Sequence, residues 1–183
     1  MVGVFGRMNN KEEQPGKNKR RILVVDDHAI VRQGLTKLVN QESDLVVIAE
    51  AENARQALDA IEKQQIDMAI VDISLEGASG IEFTEGISAR YPNLPVLILS
   101  MHDELSYCRR AFRAGARGFA IKSEVAEEII KAIHKVLDGK SYISEKMAAK
   151  MKHAGISNMR DLLNLSSQNP SDPLRKASGG LGS

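Results

Sequence analysis

Residues 21–35 read RILVVDDHAIVRQGL. An apolar run from Ile22 to Val25 ends in two adjacent carboxylates, Asp26 and Asp27, and the chain passes at once into helical spacing. Two like charges side by side repel, and each is disfavoured beside a low-dielectric core unless something neutralises it. A positive partner is therefore required, and the rest of the chain has to supply it.

That run is the first of five. ILVV, LVVIA, MAIV, VLIL and GFAI start at Ile22, Leu45, Met68, Val96 and Gly118, about 22 to 28 residues apart, the length of one strand, one helix and two short loops. They are rich in Val and Ile and apolar at successive positions, which suits strands covered on both faces. Between them lie amphipathic segments: Ile30, Leu35, Leu38 and Val39 on one face, then Ala54, Leu58 and Ile61, then Ile81, Phe83, Ile87 and Tyr91 before Pro92. The last helix has the fullest set of signals. Ser123 is its expected N-cap, Glu124, Glu127 and Glu128 sit at its positive end, and Ile129, Ile130, Ile133, Val136 and Leu137 form its apolar face. Lys131 and Lys135 lie toward its negative end and Gly139 stops it. The expected fold class is α/β, a doubly wound five-stranded parallel sheet with helices on both faces.

Composition agrees with one folded domain plus tails. The chain has 183 residues, 43% hydrophobic and 27% charged, with a formal net charge of +1 that gives no global reason to expect nucleic-acid binding. A single cysteine, Cys108, excludes an intrachain disulfide and fits a reducing compartment. No apolar run approaches the ~20 residues that cross a bilayer, and the start, MVGVFGRMNNKEEQPGKNKRR, lacks the apolar region of a signal peptide. The expectation is a cytoplasmic protein with no membrane contact. Its organisation is expected to be a disordered basic and polar leader over 1–20, a domain over 21–139, a linker helix over 140–154 and a mostly disordered tail over 155–183, with one short turn of helix in GISNMRDLLNL at its start.

In an open parallel sheet, ligands bind outside the carboxyl ends of the strands. The first strand ends in Asp26 and Asp27, the third in Asp72, the fourth in Ser100 and the fifth in Lys122. Three carboxylates, a hydroxyl and an ammonium then converge on one edge, and Lys122 is a positive partner. Clustered hard oxygens with room for water suit Mg²⁺, and Asp72, alone on the strand between the other groups, is the best-placed nucleophile for a phosphorus atom. Singly, each position has an ordinary reading: a strand-ending aspartate caps helices, a serine forms turns, a loop lysine is solvated. The histidines His28, His102, His134 and His153 lack metal-ligand spacing and read as surface residues.

Jointly, these positions resemble the receiver domain of two-component response regulators, and SMHDE, RAFRAGARGFAIKSE and GKSYIS resemble its NarL/FixJ (LuxR-type) subfamily. The resemblance runs from about Arg20 to Ser144. It implies a flavodoxin-like sheet in the strand order 2-1-3-4-5. It further implies Asp72 as phosphoacceptor, Asp26, Asp27 and Asp72 holding Mg²⁺ with the Ser74 backbone carbonyl, Ser100 and Lys122 contacting the phosphoryl group, and Ser100 and Phe119 as switch residues. The implied partner is a sensor histidine kinase, with a homodimer left open and an output surface formed by the fourth helix, fifth strand and fifth helix. The implied activity is a phosphoacceptor switch with slow autodephosphorylation, not an enzyme acting on an external substrate.

Two departures stand out. Where the family usually has proline, four residues after the phosphoacceptor, this chain has Glu76, so the loop from Ser74 to Gly80 is expected to be more mobile or more negative. Relatives continue into a helix-turn-helix of about 65 residues, whereas 30 residues follow His153 and none reads as a basic recognition helix. No direct DNA binding is expected from this chain, although full-length relatives bind DNA. Two other readings compete: a small Mg²⁺-dependent phosphatase, disfavoured because the DxD of such enzymes is missing at Asp26, and a phosphate-independent interaction module, disfavoured because unused paired carboxylates cost stability.

Overall fold

The computed structural model describes residues 19–75 and 77–164. The expected leader up to residue 18, Glu76 and the tail beyond residue 164 lie outside the described residues. In chain order the elements are β1 (Arg20–Val25), α1 (Ala29–Asn40), β2 (Leu45–Ala51), α2 (Ala54–Lys63) and β3 (Met68–Asp72). A hairpin of β4 (Ser74–Leu75) and β5 (Ala78–Ser79) follows, then α3 (Gly80–Arg90), β6 (Val96–Ser100), α4 (Leu105–Arg113) and β7 (Gly118–Ile121). A 3₁₀ turn, Lys122–Glu124, leads into α5 (Val125–Leu137), β8 (Tyr142–Ile143), α6 (Glu145–His153) and α7 (Met159–Asn164).

The five long strands run parallel in the order β2-β1-β3-β6-β7, which is the expected 2-1-3-4-5. A sixth strand, the two-residue β8, adds itself parallel to the free edge of β7. Successive residues of a strand face opposite sides of the sheet, so β1 feeds two cores. Ile22 and Val24 pack with Leu35 and Val39 of α1 and with Ile129, Ile133 and Val136 of α5. Leu23 and Val25 belong to the other core, with Ala57 of α2, Ile81, Phe83 and Ile87 of α3 and Cys108 and Ala111 of α4. The sheet is thus covered on both faces, as its unalternating apolar runs require.

Two local expectations need correction and a third is extended. Ile30, expected on the buried face of α1, is 78% exposed. The buried stripe is Arg32, Leu35 and Val39, and at ~100° per residue Ile30 points well away from Leu35. Ser123 does not cap α5 but lies inside the 3₁₀ turn, and Glu124 takes the cap position without a side-chain hydrogen bond. The third concerns the segment after α5. The expected linker helix is α6 and the expected short helical turn in GISNMRDLLNL is α7, but both lie against the domain, burying Met147, Met151 and Leu162 in the same core. Gly139 closes α5 with a φ of +76°, a conformation that suits glycine at a helix C-terminus.

Candidate functional site

The strand order changes direction between β1 and β3, and there the loops leave toward opposite faces and open a crevice. Asp26 follows β1 directly, Asp72 is the last residue of β3, Ser100 ends β6 and Lys122 follows β7. Parallel pairing brings these ends to one rim. The Lys122 ammonium lies 2.6 Å from Asp26 Oδ2 and 2.8 Å from Asp72 Oδ2. Ligand atoms of Asp26, Asp27, His28 and Asp72 all fall within 4.8 Å of one another. Asp26 and Asp72 are buried, at 1% and 3% exposure, while Asp27 is partly open to solvent.

One ammonium faces three carboxylates, so the cluster keeps a net charge of −2 when His28 is neutral. Burial is the main influence on Asp72 and pushes its carboxyl above the usual range, with Asp26 adding to the rise. Lys122 and the Ser74 backbone N–H, which donates to the Asp72 carboxylate, pull the other way. Burial also works against the charge on Lys122, but Asp26 and Asp72 together outweigh it and raise its value, so the ammonium stays protonated. Asp26 Oδ2 and Asp27 Oδ1 are buried without a well-aligned hydrogen bond. Their close nitrogen neighbours, Lys122 Nζ and His28 Nδ1, each 2.6 Å away, make contact off the hydrogen-bonding direction. Buried oxygens with excess negative charge and no aligned donor form a donor set that fits a hard divalent cation such as Mg²⁺.

The surrounding backbone is held tightly. The His28 N–H donates to Asp26 Oδ1 at 2.9 Å, and the buried Arg32 guanidinium donates to the Asp26 carbonyl at 2.6 Å and to Glu52 Oε1 at 2.9 Å. After β3, Gly80 packs so closely that a Cβ there would lie 1.9 Å from the Asp72 carbonyl oxygen. Ser100 is fully buried, its Oγ accepting from the His102 N–H at 2.9 Å. Phe119 is buried in β7, paired in register with Ile98. Ser74 begins the β4–β5 hairpin.

Asp26, Asp27, Asp72 and Lys122 therefore meet at one rim, and Ser100 ends the strand β6 that pairs with both β3 and β7. His28, read from the sequence as an ordinary surface histidine, touches Asp27 and belongs to the cluster; its signal was its place directly after the two aspartates. Arg32 and Gly80 leave no mark in the sequence, because an arginine one turn into a helix and a glycine opening one carry no motif of their own.

A family model described as the response regulator receiver domain matches residues 22–134. The chain is 33% identical over 160 residues to the transcriptional regulatory protein DegU of Brevibacillus brevis, covering 87% of this chain and 66% of that one. It is 31% identical over 156 residues to the oxygen regulatory protein NreC of Staphylococcus aureus, covering 85% and 70%. Among solved structures, a LuxR-family two-component response regulator from Aurantimonas sp. SI85-9A1 superposes with a TM-score of 0.72 at 32% identity, covering 76% of this chain and 100% of that one. The isolated receiver domain of RcsB from Salmonella enterica serovar Typhimurium, solved with the phosphomimetic BeF₃⁻, has a TM-score of 0.68 at 23% identity, covering 72% and 98%, and shares the fold.

Proposed function

The chain belongs to the response regulator receiver domain family, in its NarL/FixJ, LuxR-type branch, and from that membership we propose that it is a phosphoryl-accepting switch with Asp72 as the acceptor. The observation that carries the reading is the contact of the single Lys122 ammonium with both Asp26 and Asp72 at the rim where three strand ends meet. A sensor histidine kinase presents phosphohistidine. One Asp72 carboxylate oxygen attacks the phosphorus, the P–N bond breaks with its electron pair returning to the imidazole, and an acyl phosphate forms on Asp72.

Asp26, Asp27, Asp72 and the Ser74 carbonyl are the residues that would hold Mg²⁺, which when bound offsets charge on the phosphoryl oxygens. Lys122, already charged and within reach of Asp72, moves its ammonium onto a phosphoryl oxygen. Ser100 turns its hydroxyl toward the same group, and Phe119 takes up the space that the turn frees. The altered surface is that of α4, β7 and α5. The population shifts only by the difference in how tightly the two arrangements hold the phosphoryl group. The chain modifies only itself and loses the group slowly; it has no external substrate.

The receiver unit is taken as residues 21–139, acting in the cytoplasm; no described helix is long and apolar enough to cross a membrane. Two relatives are named as a transcriptional regulatory protein and an oxygen regulatory protein, and by that likeness the output belongs to transcriptional control. Intact-mass measurement after exposure to a small phosphodonor with Mg²⁺ tests the assignment. One added phosphoryl group on the wild type and none on Asp72→Ala is the expected result; equal addition to both refutes it.

A further inference from the structure

The start of α6 sits against both loops that carry the site's adjustable groups. On one side is the loop after β6, where Asp103 lies three residues beyond Ser100. Lys146 Nζ lies 3.1 Å from Asp103 Oδ2, Lys150 Nζ lies 2.8 Å from Asp103 Oδ1, and Lys150 also donates to the Asp103 carbonyl at 3.0 Å. On the other side is the 3₁₀ turn that begins with Lys122. Its last residue, Glu124, accepts from the Lys146 backbone N–H at 3.2 Å. One residue, Lys146, thus ties the Ser100 loop to the Lys122 turn. Lys131 of α5 adds a third strap, bonding Glu145 at 3.0 Å.

Isolated surface ion pairs contribute little because two long side chains must be immobilised for each. Here the helix carrying both lysines is already anchored by the buried Met147 and Met151, and one carboxylate collects both ammonium groups. Lys150 and Lys146 hold that carboxyl below its usual range. The loop they grip is the one that has to move. Ser100 Oγ now accepts from His102 N–H. To point at a new oxygen on Asp72 it gives up that bond, which releases the His102 N–H and with it the backbone leading into Asp103.

We infer that Lys146 and Lys150 are positioning residues: through Asp103 and Glu124, α6 clasps the two site loops in their present arrangement and opposes the one that holds a phosphoryl group. Docking of α6 and phosphorylation of Asp72 are then antagonistic, and by thermodynamic reciprocity each weakens the other by the same factor. The inference rests on the Asp72 reading above and extends it to the regulation of that site.

The test uses the full chain and beryllofluoride, a stable stand-in for the phosphoryl group, titrated in Mg²⁺ and followed by fluorine NMR. The double variant Lys146→Ala, Lys150→Ala binds the anion about threefold tighter than wild type, as does Asp103→Asn, while Lys146→Arg, Lys150→Arg stays at the wild-type value. Raising the salt concentration tightens wild-type binding relative to the alanine variant, because the two lysine–Asp103 pairs are screened and the variant lacks them. Wild-type binding with an unchanged or weaker alanine variant overturns the clasp and leaves Asp72 as the acceptor. No anion binding by the wild type overturns the acceptor reading, and the clasp with it.

Discussion

Gly80 shows how much of the site depends on an atom that is missing. A Cβ there would meet the Asp72 carbonyl oxygen at 1.9 Å, its carbon at 2.9 Å and Ile73 Cα at 3.0 Å, all backbone atoms that cannot step aside. The Gly80 N–H meanwhile bonds the Ile73 carbonyl and its own carbonyl accepts from Thr84 Oγ1, so the residue is fixed on both sides. Gly80→Ala is therefore expected to cost about 3 kcal/mol in urea unfolding, through overpacking against backbone. Gly86 is the control within the same helix: nothing lies within 4 Å of its added Cβ. Gly86→Ala gains roughly 0.5 to 1 kcal/mol from helix propensity. A similar change in both variants would mean that the close approach at Asp72 is not what Gly80 serves. The sequence held no sign of this, since Gly80 needs no positive φ and completes no glycine motif; its requirement arises only when the turn after β3 folds back on Asp72.

At the scale of elements, the five long strands were legible because their apolar runs are continuous and evenly spaced, and a parallel, two-sided sheet is the arrangement that buries such runs. The hairpin β4–β5 and the edge strand β8 were not, because two-residue elements are decided by what they pair with; of α7 the short helical turn was legible, but not its docking into the core. The far ends of β1 and β3 are joined by a different device. Arg21 meets Asp67 with its N–H, Nε and Nη2, at 2.7, 3.0 and 2.9 Å, and the Asp67 N–H returns a bond to the Arg21 carbonyl. The Arg21 guanidinium holds the Asp67 carboxyl below its usual range. A carboxyl depressed in the folded state stabilises above its unfolded value, and that contribution is lost as pH falls through the folded one. Asp67→Asn is thus expected to melt at a lower temperature than wild type at pH 7. The gap should close as pH is taken below about 4, in calorimetric scans; a gap that persists undiminished in acid would assign the loss to something other than this charge.

For the molecule as a whole, stability and site are one problem, because the strand ends that close the sheet also carry three carboxylates against one ammonium. The convergence of Asp26, Asp27, Asp72 and Lys122 was legible, since strand spacing alone fixes where strand ends go. The inclusion of His28 and the grip of α6 were not, since each depends on a side chain's direction or on a helix folding back. Within the cluster, burial is the main influence on Asp72 and disfavours its charged form. A carboxyl raised in the folded state contributes stability below its unfolded value, and that contribution is lost as pH rises through the folded one. The metal-free wild type should therefore lose stability as pH climbs out of the carboxylate range, and Asp72→Asn should escape that loss. At pH 7 the variant is expected to exceed metal-free wild type by about 1 kcal/mol. Mg²⁺ should reverse the order. A ligand that binds only the folded state at a hundred times its dissociation constant adds about 2.7 kcal/mol, and the variant, with one anionic ligand fewer, collects less of it. Thermal scans of both proteins across a Mg²⁺ series then cross. Parallel curves, with the metal raising both equally, would place the cation away from Asp72 and separate the acidic cluster from the stability of the sheet that builds it.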